Sequence, residues 1–198
     1  MQANKISLAV NARDPNYEWL AQCLKSAKGF DETLLFIDGG HLDIVQGFNF
    51  VVAQTTGDWI CSFCCDDYFI EDNLLEILDL MRSGAFDSWD VVHFPVRLNN
   101  GSTWGNVKNV TPARLRNENC LPHGSFFKYK VFHSIEGYRT EAATDWNFWL
   151  RAANNGMKFH YWDKPIYHFR KTSTGAYHRQ LKKYGGISGV RQEVIDNV

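Results

Sequence analysis

Two adjacent carboxylates, Asp66 and Asp67, follow directly on an almost uninterrupted apolar run, GDWICSFCC. A run of that kind reads as a strand covered on both faces, and the carboxyl end of a strand in an open parallel sheet is where such folds bind ligands. Neighbouring carboxylates repel each other, so a site that keeps both ionised usually contains a cation. Mg2+ or Mn2+ on oxygen ligands would also bridge a diphosphate. The plainer alternative is that the pair starts a turn and charges the N-terminus of the helix after Tyr68. Asp38 ends a second apolar run, LLFIDGG, whose glycines let a flat ring approach the backbone; a base or ribose fits there, and so does an ordinary strand-to-turn Asp. Asp145 stands in the first turn of a predicted helix, TDWNFWLRA. There it either complements the helix dipole, with Thr144 as N-cap, or removes a proton from an acceptor hydroxyl as general base. The two roles are compatible.

The elements that must position these residues alternate between strand and helix. ISLAV is followed by Leu20, Cys23, Leu24 and Ala27 at helical spacing, and then by TLLFI, a βαβ beginning. A second helix is predicted from about His41 to Thr55, with Val45, Phe48 and Val52 on one stripe. After the GDWICSFCC strand a third helix opens near Glu71 and Asp72 and carries Leu74, Leu75, Leu78 and Met81; DVVHFPV follows as a strand whose Pro95 marks an end or a sheet edge. Residues 98–111 are rich in turn formers and lack a period, which predicts a mobile connection or flap. SFFKY, the segment Asp145 to Asn155 and KFHYW then read as strand, helix and strand, with Trp146, Trp149, Leu150 and Ala153 facing inward and Asn155-Gly156 as the helix stop. The stretch from Arg170 to Lys183 holds five basic residues and no acid.

Bulk properties narrow the function classes. At 198 residues, with 44% hydrophobic and 15% aromatic content, the chain reads as one globular domain. Twenty-one basic against 22 acidic residues make nucleic acid an unexpected partner. No apolar run approaches a membrane span and the start, MQANKISLAV, lacks a secretory core, so a cytoplasmic protein is expected. Five cysteines, three of them crowded at Cys61, Cys64 and Cys65, form no second pair for a zinc site; strand alternation sends Cys64 and Cys65 to opposite faces, and buried free thiols are expected.

Taken in order, these segments resemble the family 2 glycosyltransferases of the GT-A fold over most of residues 5–175. ISLAVNARD is similar to the family's first strand and turn, LLFIDGG to the strand whose last Asp contacts the nucleotide base, and GDWICSFCCDDYF to the strand bearing the DXD motif. LPHGSFF through TDWNFWLRAANNG to KPIYHFR resembles the acceptor half with its "ED" signature. The compactness also resembles the short GT-A modules encoded by some large DNA viruses. The resemblance implies an α/β fold, a compact mixed β-sheet flanked by helices, with residues 1–97 as nucleotide-binding half, 98–175 as acceptor half and 176–198 as a tail. It implies transfer of a sugar, with inversion, from a nucleotide diphosphate (UDP foremost) to the hydroxyl of a glycan or other acceptor. Asn11, Ala12, Arg13 and Asp14 would line the nucleotide pocket, Asp38 would read uracil, Asp66 would approach ribose or metal, Asp67 would bind Mn2+ or Mg2+, Asp145 would be the base, and His168 would be a further metal or diphosphate ligand.

Three positions depart from the family pattern. Cys64 stands where many relatives have an Asp, Thr144 replaces the Glu of "ED", and only 27 residues separate Asp38 from Asp66, room for one helix and one strand. The sheet is therefore expected to be small and the base pocket open. Two other readings compete: a nucleotidyltransferase, disfavoured because ISLAVNARDP is a poor phosphate loop, and a sugar- or nucleotide-binding module of the same fold without catalysis.

Overall fold

A computed structural model describes residues 3–171 and 176–198, so part of the expected basic stretch, residues 172–175, lies outside the described residues. The first half runs β1 (Ile6–Arg13), α1 (Tyr17–Ser26), β2 (Glu32–Asp38), α2 (Ile44–Ala53) and β3 (Trp59–Cys64). Asn16 caps α1 by accepting from the N–H groups of Glu18 and Trp19, and Asp43 forms a capping box with Gln46 at the start of α2. β1 pairs in parallel with both β2 and β3. The chain thus steps outward to β2 and then returns across β1 to β3, and strand order reverses at the β1/β3 boundary.

Alternation along these strands explains their continuous hydrophobicity. Leu8, Val10, Cys61 and Phe63 join the core that takes Leu20 and Cys23 of α1, whereas Ala9 and Ile60 join the core that takes Phe48, Val51 and Val52 of α2. Cys64 and Cys65 do go to opposite cores, and all five cysteines are free.

β4 (Tyr68–Phe69), α3 (Glu71–Arg82), β5 (Val91–His93), β6 (Val96–Leu98), β7 (Thr103–Trp104), α4 (Pro112–Leu115) and β8 (Phe126–Lys128) come next. On α3 the buried stripe is Leu74, Ile77, Leu78 and Met81; Leu75, expected inside, is 37% exposed because it falls outside the i, i+3, i+4, i+7 pattern. The Pro95 break splits the expected DVVHFPV strand into β5 and β6, which enter different sheets. Within residues 98–111, expected as a mobile connection or flap, the first part is ordered by pairing: β6 and β7 form an antiparallel hairpin, closed by Leu98 N–H to Ser102 O at 2.8 Å, with Gly101 at φ +81°, whereas 105–111 carry no helix or strand. Strands this short carry too few residues to display a period.

α5 (Tyr129–Ser134), α6 (Thr144–Asn154), β9 (Phe159–Tyr161), β10 (Tyr167–Phe169), α7 (Ala176–Lys183) and α8 (Ile187–Asp196) complete the chain. The main sheet has six strands in the order β2-β1-β3-β8-β5-β9, with β8 antiparallel to both neighbours; a second sheet has the order β4-β10-β6-β7. This is the mixed sheet flanked by helices that the sequence implied. α6 is buried all round rather than along one stripe, with Asn147, Phe148, Arg151 and Ala152 inside as well. The reason is α8. Residues 176–198, expected as a tail, form two helices that set Val190 and Val194 into the α6 core, and Asn147 Nδ2 donates to Val194 O at 3.0 Å and Asn197 O at 3.1 Å. The buried Arg151 guanidinium is satisfied by Asn147 Oδ1 at 2.8 Å and by the carbonyls of Ile135 and Gly137. Among the described residues no helix is long and apolar enough to cross a membrane.

Candidate active site

The carboxyl ends of β1, β2 and β3 bring the first group of residues together. Arg13 and Asp38 are register partners, and Asp14 N–H donates to Asp38 O at 2.9 Å, so residues 11–14 and Asp38 form one lip. Asp14 makes the turn at φ 46°, a left-handed conformation that Asp tolerates better than most side chains. Ala12 turns its methyl into the core, which leaves only its backbone for the lip, and Arg13 is exposed. The Asp38 carboxylate accepts from His41 N–H at 2.9 Å and Leu42 N–H at 2.8 Å. Its burial pushes the pKa upward, but those backbone donors, with His41 and Arg13, hold it below the usual range. Asp38 therefore stays ionised and also shapes its own turn. Asn11 donates to Ile44 O at 3.4 Å, and its Oδ1 is buried without a partner among the described residues, facing neighbours in α2 that include Gly47.

Asn11 is also the register partner of Cys64, which links this lip to the Asp66-Asp67 turn across the β1/β3 boundary. Burial raises the Asp66 carboxyl above its ordinary range; burial and then the Asp66 charge raise Asp67 further. Asp67 Oδ1 accepts from Arg170 N–H at 2.8 Å, and the Arg170 guanidinium donates to Asp66 O and Gln22 while lying 4.5 Å over the Tyr68 ring and 5.2 Å over Trp19. Two hard carboxylates with poorly compensated charge fit Mg2+ or Mn2+, ions that take one or two protein carboxylates and fill the remaining positions with phosphate oxygens and water. The expected third ligand does not join them. His168 lies flat on Tyr68, ring centroids 4.5 Å apart at 10°, as the cross-strand pairing of β10 with β4 dictates, and among the described residues no three His, Cys, Asp or Glu side chains group to hold an ion.

Asp145 arrives from the acceptor half. Thr144 is not its N-cap: Ala143 occupies that place at φ 44°, with no side-chain capping bond, and Thr144 Oγ1 is buried without a partner among the described residues. Asp145 instead accepts from Trp146 N–H at 2.9 Å and, at 3.3 and 3.4 Å, from Asn119 Nδ2. Burial raises its pKa against these bonds. Asp66, Asp67 and Asp145 all add to the burial that raises the Cys64 thiol, and Asp67 and Asp145 both act on the Tyr167 hydroxyl, so all three lie in the neighbourhood of the end of β3. A carboxylate of raised pKa in the same neighbourhood as a metal-competent pair suits proton removal at one group and charge neutralisation at another.

Sequence reasoning missed Arg170 and Asn119. Arg170 was visible only as the first of a basic run and the last residue of KPIYHFR, with no role assigned, and NENC around Asn119 carries no signal at all. A groove of about 920 Å³ along the edge strand β9 lies among Trp89, Lys158 and Trp162 and contains none of the expected site residues.

No protein-family model matches the chain, and no curated protein matches it by sequence. Solved structures match by shape. S. aureus TarS 1-349 in complex with UDP-GlcNAc superposes with a TM-score of 0.66 at 13% identity, over 88% of this chain and 60% of that one. The same protein in complex with UDP gives 0.63 at 16% identity, over 98% and 66%. The mannosyltransferase PcManGT from Pyrobaculum calidifontis, in complex with GDP-Man and Mn2+, gives 0.64 at 11%, over 99% and 65%. The chain thus spans less than two thirds of the length of these structures. On these superpositions the chain has the mixed α/β fold of the GT-A glycosyltransferases.

Proposed function

We propose that the protein is a glycosyltransferase, similar to family 2 and organised as one domain, that moves a sugar from a nucleotide diphosphate to an acceptor hydroxyl with inversion. What supports this reading is that three carboxylates, Asp66, Asp67 and Asp145, all act on Cys64 at the end of β3, whose register partner Asn11 belongs to the lip with Asp14 and Asp38. The fold supports it, since TarS and PcManGT were solved with UDP-GlcNAc and GDP-Man. UDP is the preferred donor nucleotide in this reading.

Asp38 and the backbone of residues 11–14 receive the base and ribose, with the unpartnered Asn11 Oδ1 as a further acceptor. Asp66 and Asp67 would hold Mn2+ or Mg2+, which when bound neutralises charge developing on the departing diphosphate. Asp145, held by Asn119 and Trp146 N–H, takes the proton from the acceptor hydroxyl as it attacks from the opposite side of the sugar. One base and one displacement give inversion. A cytoplasmic setting agrees with five thiols left free.

A panel of UDP- and GDP-sugars, assayed for release of nucleotide diphosphate with divalent cation and again in excess chelator, tests the reading. Metal-dependent release from at least one donor is expected. Binding of a nucleotide sugar with no release under any condition would favour a binding module instead.

A further inference from the structure

β2 closes one end of the six-stranded sheet: β1 lies on its inner side, and among the described residues no strand pairs with its outer side. The ladder fixes which of its main-chain groups are left over. Asp14 N–H donates to Asp38 O, and the evenly spaced bonds of a parallel pair then assign the N–H and C=O groups of Glu32, Leu34, Phe36 and Asp38 to β1 and turn those of Thr33, Leu35 and Ile37 outward. The side chains along this edge are apolar on both faces. On one, Leu35 is 38% and Ile37 49% exposed; on the other, Leu34 and Phe36 are half-buried, and the Phe36 ring lies 4.8 Å from that of Phe50 of α2, itself 51% exposed. Three of the seven large hydrophobic side chains exposed among the described residues thus sit on or against a single strand. The devices that usually protect an edge are missing, since TLLFI holds no Lys, no Pro and no other charge, and its register with β1 runs without a bulge.

We propose that β2 is an interaction surface for a second copy of this chain, the two β2 strands pairing antiparallel about a two-fold axis at Leu35 to give one continuous sheet. The strand is complementary to itself. A ladder needs outward groups opposite outward groups, and the register centred on Leu35 meets this while setting Thr33 against Ile37 and Leu35 against Leu35 on one face and Leu34 against Phe36 on the other. A foreign peptide bearing charge would find no counter-charge between Thr33 and Ile37. The acids at the strand's two ends, which the pairing brings opposite each other, are already held within their own subunit, Glu32 by Ser7, Thr56 and Lys5 and Asp38 by the N–H groups of His41 and Leu42. A contact of this isologous kind closes at two copies. Neither the edge nor the pairing depends on the transferase reading.

Sedimentation velocity of the full chain, across about two decades of concentration around the micromolar range suited to a small interface, should show a monomer–dimer equilibrium. Leu35→Lys and Leu35→Glu each set like charges against each other at the axis and remove two apolar side chains from the contact, so each should weaken the dimer about tenfold or more. An equimolar mixture of the two variants should recover a heterodimer, because residue 35 faces residue 35. Leu35→Ile keeps the apolar edge and should leave the dimer intact, and thermal unfolding checks that all three variants fold. A wild type that stays monomeric throughout would overturn the proposal. So would growth beyond two copies, an undiminished dimer in both charged variants, or a mixture that forms no heterodimer.

Discussion

Replacing Asp145 by Asn separates the chemistry of its carboxylate from its structural part. The side chain accepts one good bond, from Trp146 N–H at 2.9 Å, and a long contact from Asn119 Nδ2 at 3.3 and 3.4 Å. Asn at this position keeps an oxygen for Trp146. Its amide would meet Asn119, whose own Oδ1 is buried without a partner among the described residues, so a rotation of that amide restores a donor–acceptor pair. At most one weak bond is at stake, so the change in bonding should cost no more than about 1 kcal/mol, measured near the ordinary carboxylate pKa where the charge does not contribute. Loss of a general base costs about 10²- to 10⁴-fold in rate, or about 2.7 to 5.4 kcal/mol at about 1.36 per decade, which is well above the change in stability. Turnover and thermal unfolding measured on the same preparation should therefore diverge. The pH dependence adds a sign. Burial raises the Asp145 pKa in the folded state, so the ionised wild-type group opposes folding increasingly as pH rises from the ordinary carboxylate value through the raised one. The stability of Asp145→Asn relative to wild type should accordingly be greatest at neutral pH and decline as pH falls into the carboxylate range, and the acid limb of the wild-type kcat/KM profile should lie above that range. Normal turnover by the variant would remove Asp145 as base; an unfolded variant would show the reasoning from its bonds to be wrong.

Further expectations can be checked in parallel. Asp67→Ala, or excess chelator with the wild type, should abolish donor turnover, and full activity under chelation would return Asp66-Asp67 to a turn-forming role. Asp38→Asn keeps an acceptor for one of the two turn N–H groups at His41 and Leu42, so it should raise donor KM more than it lowers kcat, and more for UDP- than for GDP-sugars; equal effects on both would refute uracil reading. Gly47→Ala would place a methyl 2.7 to 3.0 Å from the Asn11 amide atoms. The gain of about 1 kcal/mol in helix propensity offsets much of an overpacking cost of about 1–3 kcal/mol, so a melting scan should change little while UDP affinity, measured by titration, falls as Asn11 is displaced.

The strands, the two alternating cores and the carboxylates at strand ends were legible because each is a local pattern: an apolar run ending in Asp declares both the element and the position of its last residue. What escaped the sequence depends on distant partners. Arg170 meets Asp67 across 103 positions, and Asn119 meets Asp145 across 26. Thr144 looked like a cap because Thr is a good one, but the chain enters α6 through a left-handed Ala143, a conformation that no local rule favours for Ala. Over residues 187–196 the sequence does place Ile187, Val190 and Val194 at helical spacing, a signal weakened by Gly189; Val190 and Val194 become core residues because α6 presents an open side.

That brace between α8 and α6 bears on how the protein is made. A ribosome that has completed residues 1–175 has already synthesised every residue assigned here to donor, metal and proton transfer, yet the helix carrying Asp145 still lacks Val190 and Val194 against its core and the carbonyls that receive Asn147. A nascent chain arrested at that length should expose the apolar side of α6 and be a client for chaperones. Competence for sugar transfer would then arrive only with synthesis of the residues through 197, so that translation itself sets the moment at which the site switches on.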